Sequence, residues 1–121
     1  MTDSPVPSPS PAAPVTVPFD DFKKLELRVA EIESVAVHPN ADKLYVLGIK
    51  VGGIKKTIVA GIRKHYTEES LKGKKIVVVN NLAPSVIRGV ESQGMLLAAS
   101  SGEMLTLVTP ELPIPDGAAV R

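Results

Sequence analysis

Apolar and polar residues alternate along much of this chain, and the pattern predicts strands. "ELRVAEIESVAV" places Leu27, Val29 and Glu31 on one face and Arg28, Ala30 and Ile32 on the other. This is the two-residue period of a long, imperfect strand that bends. "HPNAD" interrupts it, since Pro39 and Asn40 favour a turn. "KLYVLGIKV" and "IKKTIVAGI" then flank Gly52-Gly53, a pair able to take the positive φ angles of a tight hairpin. "KKIVVVN" is β-branched throughout its apolar run and predicts a buried strand. A further strand is expected over Met95-Leu96-Leu97-Ala98-Ala99, entered through a polar turn that ends at Gly94. "EMLTLV" follows as its hairpin partner across Ser100-Ser101-Gly102. Two short helical turns are predicted. "FDDFKKL" has Asp20 or Asp21 near its start, and "TEESLKGK" has Thr67 as cap, two acids in its first turn and Gly73 as its end.

Five or six strands with one short helix between the third and fourth, and no βαβ rhythm, predict a small all-β domain. The helix position favours the OB-fold: a five-stranded Greek-key barrel with a helix after its third strand. The segment broken by Pro110, Pro113 and Pro115 should wrap the barrel as a C-terminal extension. Residues 1–18 carry six prolines among Ser, Ala and Thr and predict a disordered or extended tail or linker ahead of a folded domain at 19–121.

Charge changes the picture more than composition does. The formal net charge is only +1, but it is unevenly divided. From residue 19 to 42 three cations face six acids, a net of −3. From residue 43 to 88 ten cations face only Glu68 and Glu69, a net of +8. Beyond Arg88, Arg121 stands against Glu91, Glu103, Glu111 and Asp116. A basic block of this size is either a solvated lysine-rich face or a surface for a polyanion.

Several chemistries find no support. The chain has no cysteine, so it has neither a disulfide framework nor a thiolate metal site. His38 and His65 lack the spacing of a zinc-binding helix. "GGIKKT" lacks the spacing of a phosphate loop, and no nucleophile elbow or dinucleotide fingerprint is present. Nothing here points to catalysis, a metal or a cofactor. No apolar run approaches the roughly 20 residues of a membrane span, and no signal-peptide pattern opens the chain. The expectation is a soluble, cytoplasmic binding domain.

The candidate binding residues lie in three segments: "HPNADKLYV", "AGIRKHYTEESLKGK" and "NLAPSVIRGVESQGM". In a barrel such loops rim one end and commonly carry the site. Lys43, Arg63, Lys64 and Arg88 could supply phosphate contacts, while Asn40, Ser92 and Gln93 could hydrogen-bond sugar or base edges. Several positions in these segments have a plainer alternative. Asn40 and Asp42 suit an Asx turn, Gly89 and Gly94 suit a required backbone angle, and Met95 suits a core position by apolar context. Aromatics are scarce, with Phe19, Phe22, Tyr45 and Tyr66 as the whole supply. A stacking platform for single strands is therefore not expected, and structured RNA fits better.

These segments also carry a resemblance. Leu27-Arg28-Val29, the run from His38 through Tyr45, Ala60-Gly61-Ile62, Gly73-Lys74, Asn81-Leu82, Pro84, Arg88-Gly89 and Ser92-Gln93-Gly94-Met95 resemble the tRNA-binding domain appended to the C-terminus of many bacterial methionyl-tRNA synthetases. They resemble its stand-alone, structure-specific tRNA-binding relatives equally. The resemblance covers residues 19–121. It implies an OB fold, no catalytic activity, binding to the folded tRNA body, and a homodimer formed partly by residues 103–121. It also implies that the loop holding Ser92 through Met95 lies at the tRNA surface, and it points to a methionyl-tRNA synthetase catalytic core as a partner. Family members often carry a cation around the Asn-Leu-x-Pro turn, where this chain has Ala83, Ser85 and Val86. Two alternatives stand beside this reading. A related family of secretion chaperones shares an opening resembling "FDDFKKLELRVAEI", and a dimerisation appendix with a weakened RNA site would account for Ala83 and Val86.

Overall fold

The computed structural model describes residues 15–121. Most of the expected proline-rich tail lies outside the described residues. Val15 and Val17 lead, exposed, into a one-turn helix α1 (Phe19–Phe22). The barrel then opens with β1 (Leu27–Val37), β2 (Tyr45–Val51) and β3 (Ile54–Ala60). A second one-turn helix, α2 (Glu68–Leu71), leads to β4 (Lys75–Val79). Six short strands complete the chain: β5 (Ser85–Ile87), β6 (Val90–Ser92), β7 (Met95–Leu96), β8 (Ala98–Ser101), β9 (Met104–Leu107) and β10 (Ala119–Val120). The main sheet runs β3-β2-β1-β4-β7, with β10 on β1, and every pairing is antiparallel. The helix falls between the third and fourth strands, and the architecture is the OB-like barrel expected from the strand pattern.

Local chemistry explains the turns. Val51 pairs with Ile54, so Gly52 and Gly53 form a two-residue hairpin turn, with φ of 60° and 86°. Thr67 caps α2 by accepting from the Ser70 N–H, and Gly73 leaves it at φ 82°. Leu71 is fully buried and plugs the barrel beneath β1, where the Gly73 N–H donates to the Ile32 carbonyl at 2.7 Å.

The core follows the strand period and explains its one break. Tyr45, Leu47, Ile49 and Val51 point inward from β2, facing Ala30 and Ile32 of β1 and Ile58 of β3. On β1 the period slips at Glu33: Ile32 pairs with Ile49, but Ser34 pairs with Gly48. This bulge carries the buried phase from Ala30 and Ile32 to Val35 and bends the strand. β4 is buried on both faces, Ile76 and Val78 in the barrel core and Val77 and Val79 outside it.

The C-terminal extension is tied down along this flank. Val29 donates to the Ala118 carbonyl and accepts from the Gly117 N–H, while Lys75 Nζ donates to the Ile114 carbonyl. Asp116 reaches the β2–β3 turn, where its Oδ2 accepts from the amides of Gly52 and Gly53 at 2.8 and 3.4 Å. Gly117 lies so close to Gly52 that a Cβ on it would stand 2.6 Å from the Gly52 Cα.

The expected strand over residues 95–99 is two strands. Met95 and Leu96 pair with β4, whereas Ala98–Ser101 pairs with β9. Leu97 makes the change of partner, donating to the Val77 carbonyl and accepting from the Val108 N–H.

Candidate nucleic-acid interface

Residues 38–44 join β1 to β2, and the other candidate loops gather on them. The segment closes on itself through the His38 N–H to the Leu44 carbonyl and the Leu44 N–H to the Ala41 carbonyl. The Asn40 N–H donates to Nδ1 of His38 at 2.9 Å. From the loop after β3, Arg63 Nη1 donates to the Asp42 carbonyl at 2.6 Å. From the tip of the β5–β6 hairpin, Arg88 Nη2 donates to the Asn40 carbonyl at 3.2 Å, and Asn40 Nδ2 donates back to the Arg88 carbonyl at 3.3 Å. Three loops distant in sequence thus meet at one end of the barrel, and Lys43, Arg63, Lys64 and Arg88 come with them.

These four cations are exposed, and none of them forms an ion pair among the described residues. The two arginines are held by backbone carbonyls, which orient a guanidinium without cancelling its charge. The rest of the basic block is divided differently. Lys50 and Lys55 pair with Asp116 and Glu33 at 4.0 and 3.8 Å. Lys56 Nζ donates to the backbone and side-chain oxygens of Asn80, and Lys75 is held by Ile114. The +8 block is therefore not one patch: Lys72 and Lys74 lie at the end of α2, also outside any ion pair among the described residues, and the members at the loop end are Lys43, Arg63, Lys64 and Arg88.

The loop after β3 is braced from behind. Ile62 is buried and accepts from the amides of His65 and Tyr66. Tyr45 Oη donates to the Tyr66 carbonyl at 2.7 Å, and His65 Nε2 donates to the Glu103 carbonyl at 3.0 Å. Tyr66 Oη accepts from the Leu107 N–H at 3.1 Å; that bond, with help from Thr106, lowers the phenol below its ordinary value of 10.0. Tyr45 is buried and Tyr66 is half-buried against the core, with both hydroxyls engaged. Glu68 and Glu69 line the same shallow depression as Arg63 and Lys64 and limit the positive field on that side.

Residues 92–94 hold a place the sequence did not reveal. Ser92 is only 3% exposed. Its Oγ accepts from the Val59 N–H and donates to the Gly94 carbonyl, both at 3.0 Å. The Gln93 N–H donates to the Thr57 carbonyl at 2.8 Å, and Gln93 Oε1 accepts from the Thr57 N–H at 2.9 Å. Two side chains thus stand in for a backbone ladder and seal the barrel between β3 and the start of β7. The Ser92 hydroxyl is therefore not a free hydrogen-bonding group on a rim, because both of its bonds are made within this seam, while half-buried Gln93 spends its Oε1 here and keeps its side-chain Nε2. Gly94 is required by space rather than by its backbone angle: a Cβ there would lie 3.0 Å from the Val79 carbonyl oxygen. Gly89, by contrast, needs its left-handed φ of 94°. Met95 is 49% exposed and stands with Leu82 and Val86 among the uncovered apolar side chains.

His38 is the residue that sequence reasoning passed over. It is 2% exposed, and its Nε2 lies 3.0 Å from the Ile87 carbonyl oxygen. Its position directly before Pro39-Asn40 was the available signal. Among the described residues no cluster of three or more His, Asp or Glu side chains is placed to hold a metal ion, and no helix is long and apolar enough to cross a membrane.

The family model of a putative tRNA binding domain matches residues 27–119. Over 105 residues the chain is 50% identical to the methionine–tRNA ligase of Pyrococcus furiosus, a match covering 87% of this chain but 14% of the ligase. The chain therefore spans a small part of the length of the curated relatives it matches. Among solved structures, a MetRS related protein from Pyrococcus horikoshii superposes with a TM-score of 0.82 at 33% identity, covering 88% of this chain and 99% of that one. The chaperone CsaA from Bacillus anthracis superposes with a TM-score of 0.80 at 28% identity, covering 88% and 100%. The match spans β1, the loop-end cations and the seam, and the chain belongs to the putative tRNA binding domain family.

Proposed function

We propose that this domain is a non-catalytic module that binds the folded body of tRNA, acting in trans or as an appendix of a methionyl-tRNA synthetase in the cytoplasm. The observation that carries this reading is the gathering of Lys43, Arg63, Lys64 and Arg88 around residues 38–44 with no carboxylate paired to any of them. Phosphates supply the missing counter-charge, and each one neutralised adds about one unit to the salt slope of binding. Asn40 and Met95 complete the contact surface in this reading, with Ser92 and Gln93 holding the rim from behind. With buried Tyr45 and half-buried Tyr66 the only tyrosines beside the cations, and no Phe or Trp among them, structured RNA, read by shape, phosphate and 2′-hydroxyl, is favoured over a single strand gripped by stacking. As an appendix the module would raise the local tRNA concentration near a catalytic core by tethering alone.

The domain is further proposed to form a homodimer through residues 103–121. This segment presents Met104, Val108, Leu112 and Ile114 to solvent, apolar groups that a monomer leaves uncovered. A titration with total tRNA at two salt concentrations, beside sedimentation equilibrium, tests both statements. Salt-sensitive binding that Arg88→Ala and Lys43→Ala weaken without lowering the melting temperature supports the first, and unchanged affinity in both variants refutes the placement of the site.

A second reading is favoured by a specific observation. Leu82, Val86 and Met95 are exposed by 43%, 69% and 49% on a fold shared with a chaperone. Suppression of aggregation of an unfolded client, with no tRNA shift at low salt, would put this reading first.

A further inference from the structure

Arg88 is the only non-glycine residue with positive φ, at 55°, among the described residues. It occupies the first of two turn positions in the β5–β6 hairpin, with Ile87 paired to Val90 and Gly89 at φ 94°. A turn of this kind is normally built from Asn-Gly or Gly-Gly, because in the left-handed region a Cβ crowds the following carbonyl oxygen. A residue kept in so disfavoured a conformation is held by its surroundings. Here the holding groups can be named. The Asn40 N–H can only donate, so His38 Nδ1 accepts from it. The Ile87 carbonyl can only accept, so His38 Nε2 carries the ring proton and donates to it. One buried imidazole therefore ties the residue before Arg88 to the loop that Arg88 itself contacts through Asn40.

We propose that His38 is a positioning residue for RNA binding: its imidazole braces the β5–β6 turn against the β1–β2 loop, so that the Arg88 guanidinium is presented in one fixed orientation. The inference rests on the tRNA-binding reading and deepens it. A cation on a two-residue turn would otherwise sample many directions, and ordering it on binding would cost affinity. With its backbone fixed at Ile87 and its guanidinium at the Asn40 carbonyl, Arg88 meets a phosphate already placed. His38 touches no ligand; it acts through Arg88.

Action through another residue leaves a signature that a general loss of packing does not: the two substitutions fail to add. The test is a cycle of the parent domain, His38→Asn, Arg88→Ala and the double variant, titrated with total tRNA between 50 and 200 mM salt. Asn at position 38 can still accept from the Asn40 N–H but cannot reach the Ile87 carbonyl. Arg88→Ala is expected to lower the salt slope by about 0.9, which over this salt range is roughly a threefold smaller loss of affinity. His38→Asn is expected to weaken binding and reduce the slope in the same direction, and to add nothing in the Arg88→Ala background. If His38→Asn does not melt cooperatively, His38→Gln, whose amide N–H can replace Nε2–H, is read in its place and should retain more affinity than His38→Ala. Additive weakening, or parent-like binding by His38→Asn, overturns the inference and leaves the tRNA reading standing. Loss of the fold in both the Asn and the Gln variants overturns it too, since His38 is then a core residue. Unchanged binding by Arg88→Ala overturns the placement of the RNA site itself.

Discussion

Replacing Ser92 by alanine separates a scaffold role from a contact role. The substitution removes one hydroxyl that serves two backbone groups, the Val59 N–H and the Gly94 carbonyl, both at 3.0 Å. Ser92 is 3% exposed, so water is not at hand to replace it at Gly94, while half-buried Val59 has partial access. Leaving a buried polar group unmatched costs about 1–3 kcal/mol. For a domain near 100 residues each kcal/mol lowers the melting temperature by about 4–8 °C, so the expected drop is roughly 4–24 °C. Thermal unfolding followed by circular dichroism measures it, and urea unfolding should show a lower midpoint with an unchanged slope. A tRNA titration at a temperature where the variant is fully folded should then return the parent's affinity and salt slope. A melt within about 2–4 °C of the parent, the spread of neutral surface changes, combined with weakened tRNA binding, would refute the seam and restore Ser92 as a ligand contact.

Other outcomes follow from the C-terminal clamp and the turn it grips. Burial raises the Asp116 carboxyl, but the amides of Gly53 and Gly52 and the Lys50 ammonium outweigh it, so the group sits below its ordinary value of 3.8. A depressed folded value means that this stability is fully present above pH 3.8 and is lost as the pH falls through the folded value. Acid unfolding of Asp116→Asn should therefore start from lower stability at neutral pH and fall less steeply than the parent's. Gly117→Ala should destabilise by at least about 1–3 kcal/mol, because its Cβ would meet the Gly52 backbone at 2.6 Å. Gly53→Ala is the internal control, with φ 86° and open space around it; equal melting temperatures for the two would show that the close approach is not felt. Gln93→Leu, which strands the Thr57 N–H, should cost about 1–3 kcal/mol in urea unfolding while leaving the four loop cations in place.

What the sequence disclosed was chemistry that acts within a few residues. Gly52-Gly53, the Thr67 cap and Gly73 could be read because the turn or helix end each one makes is decided by its own backbone. The strands of the barrel were legible from their period, and the bend in β1 from its imperfect alternation, though its place at Glu33 came only from the register with β2. The seam was not, because nothing local says that Ser92 and Gln93 will face Val59 and Thr57. Polar residues beside a glycine resemble a binding rim whether they point outward or across a gap. The break at Leu97 was hidden for a related reason: an apolar run reports burial, not which neighbour provides it. Counting charge located the basic block, but only the fold separates the lysines engaged by Asn80, Ile114, Glu33 and Asp116 from the cations left at the loops and at the end of α2.

The pairing of β1 bears on the order in which this domain can be made. Leu27 is flanked by Val79 on one edge and by Val120 on the other. The first barrel strand thus waits for partners from the middle and the far end of the domain before its edges are closed. During synthesis the β2–β3 hairpin can form as soon as it emerges, whereas the N-terminal half of β1 keeps an open edge until residues 119 and 120 arrive. Ladders that join such distant residues are slow to close, so refolding should be limited by docking of the C-terminal segment, and shortening that segment should slow folding as well as weaken the final structure.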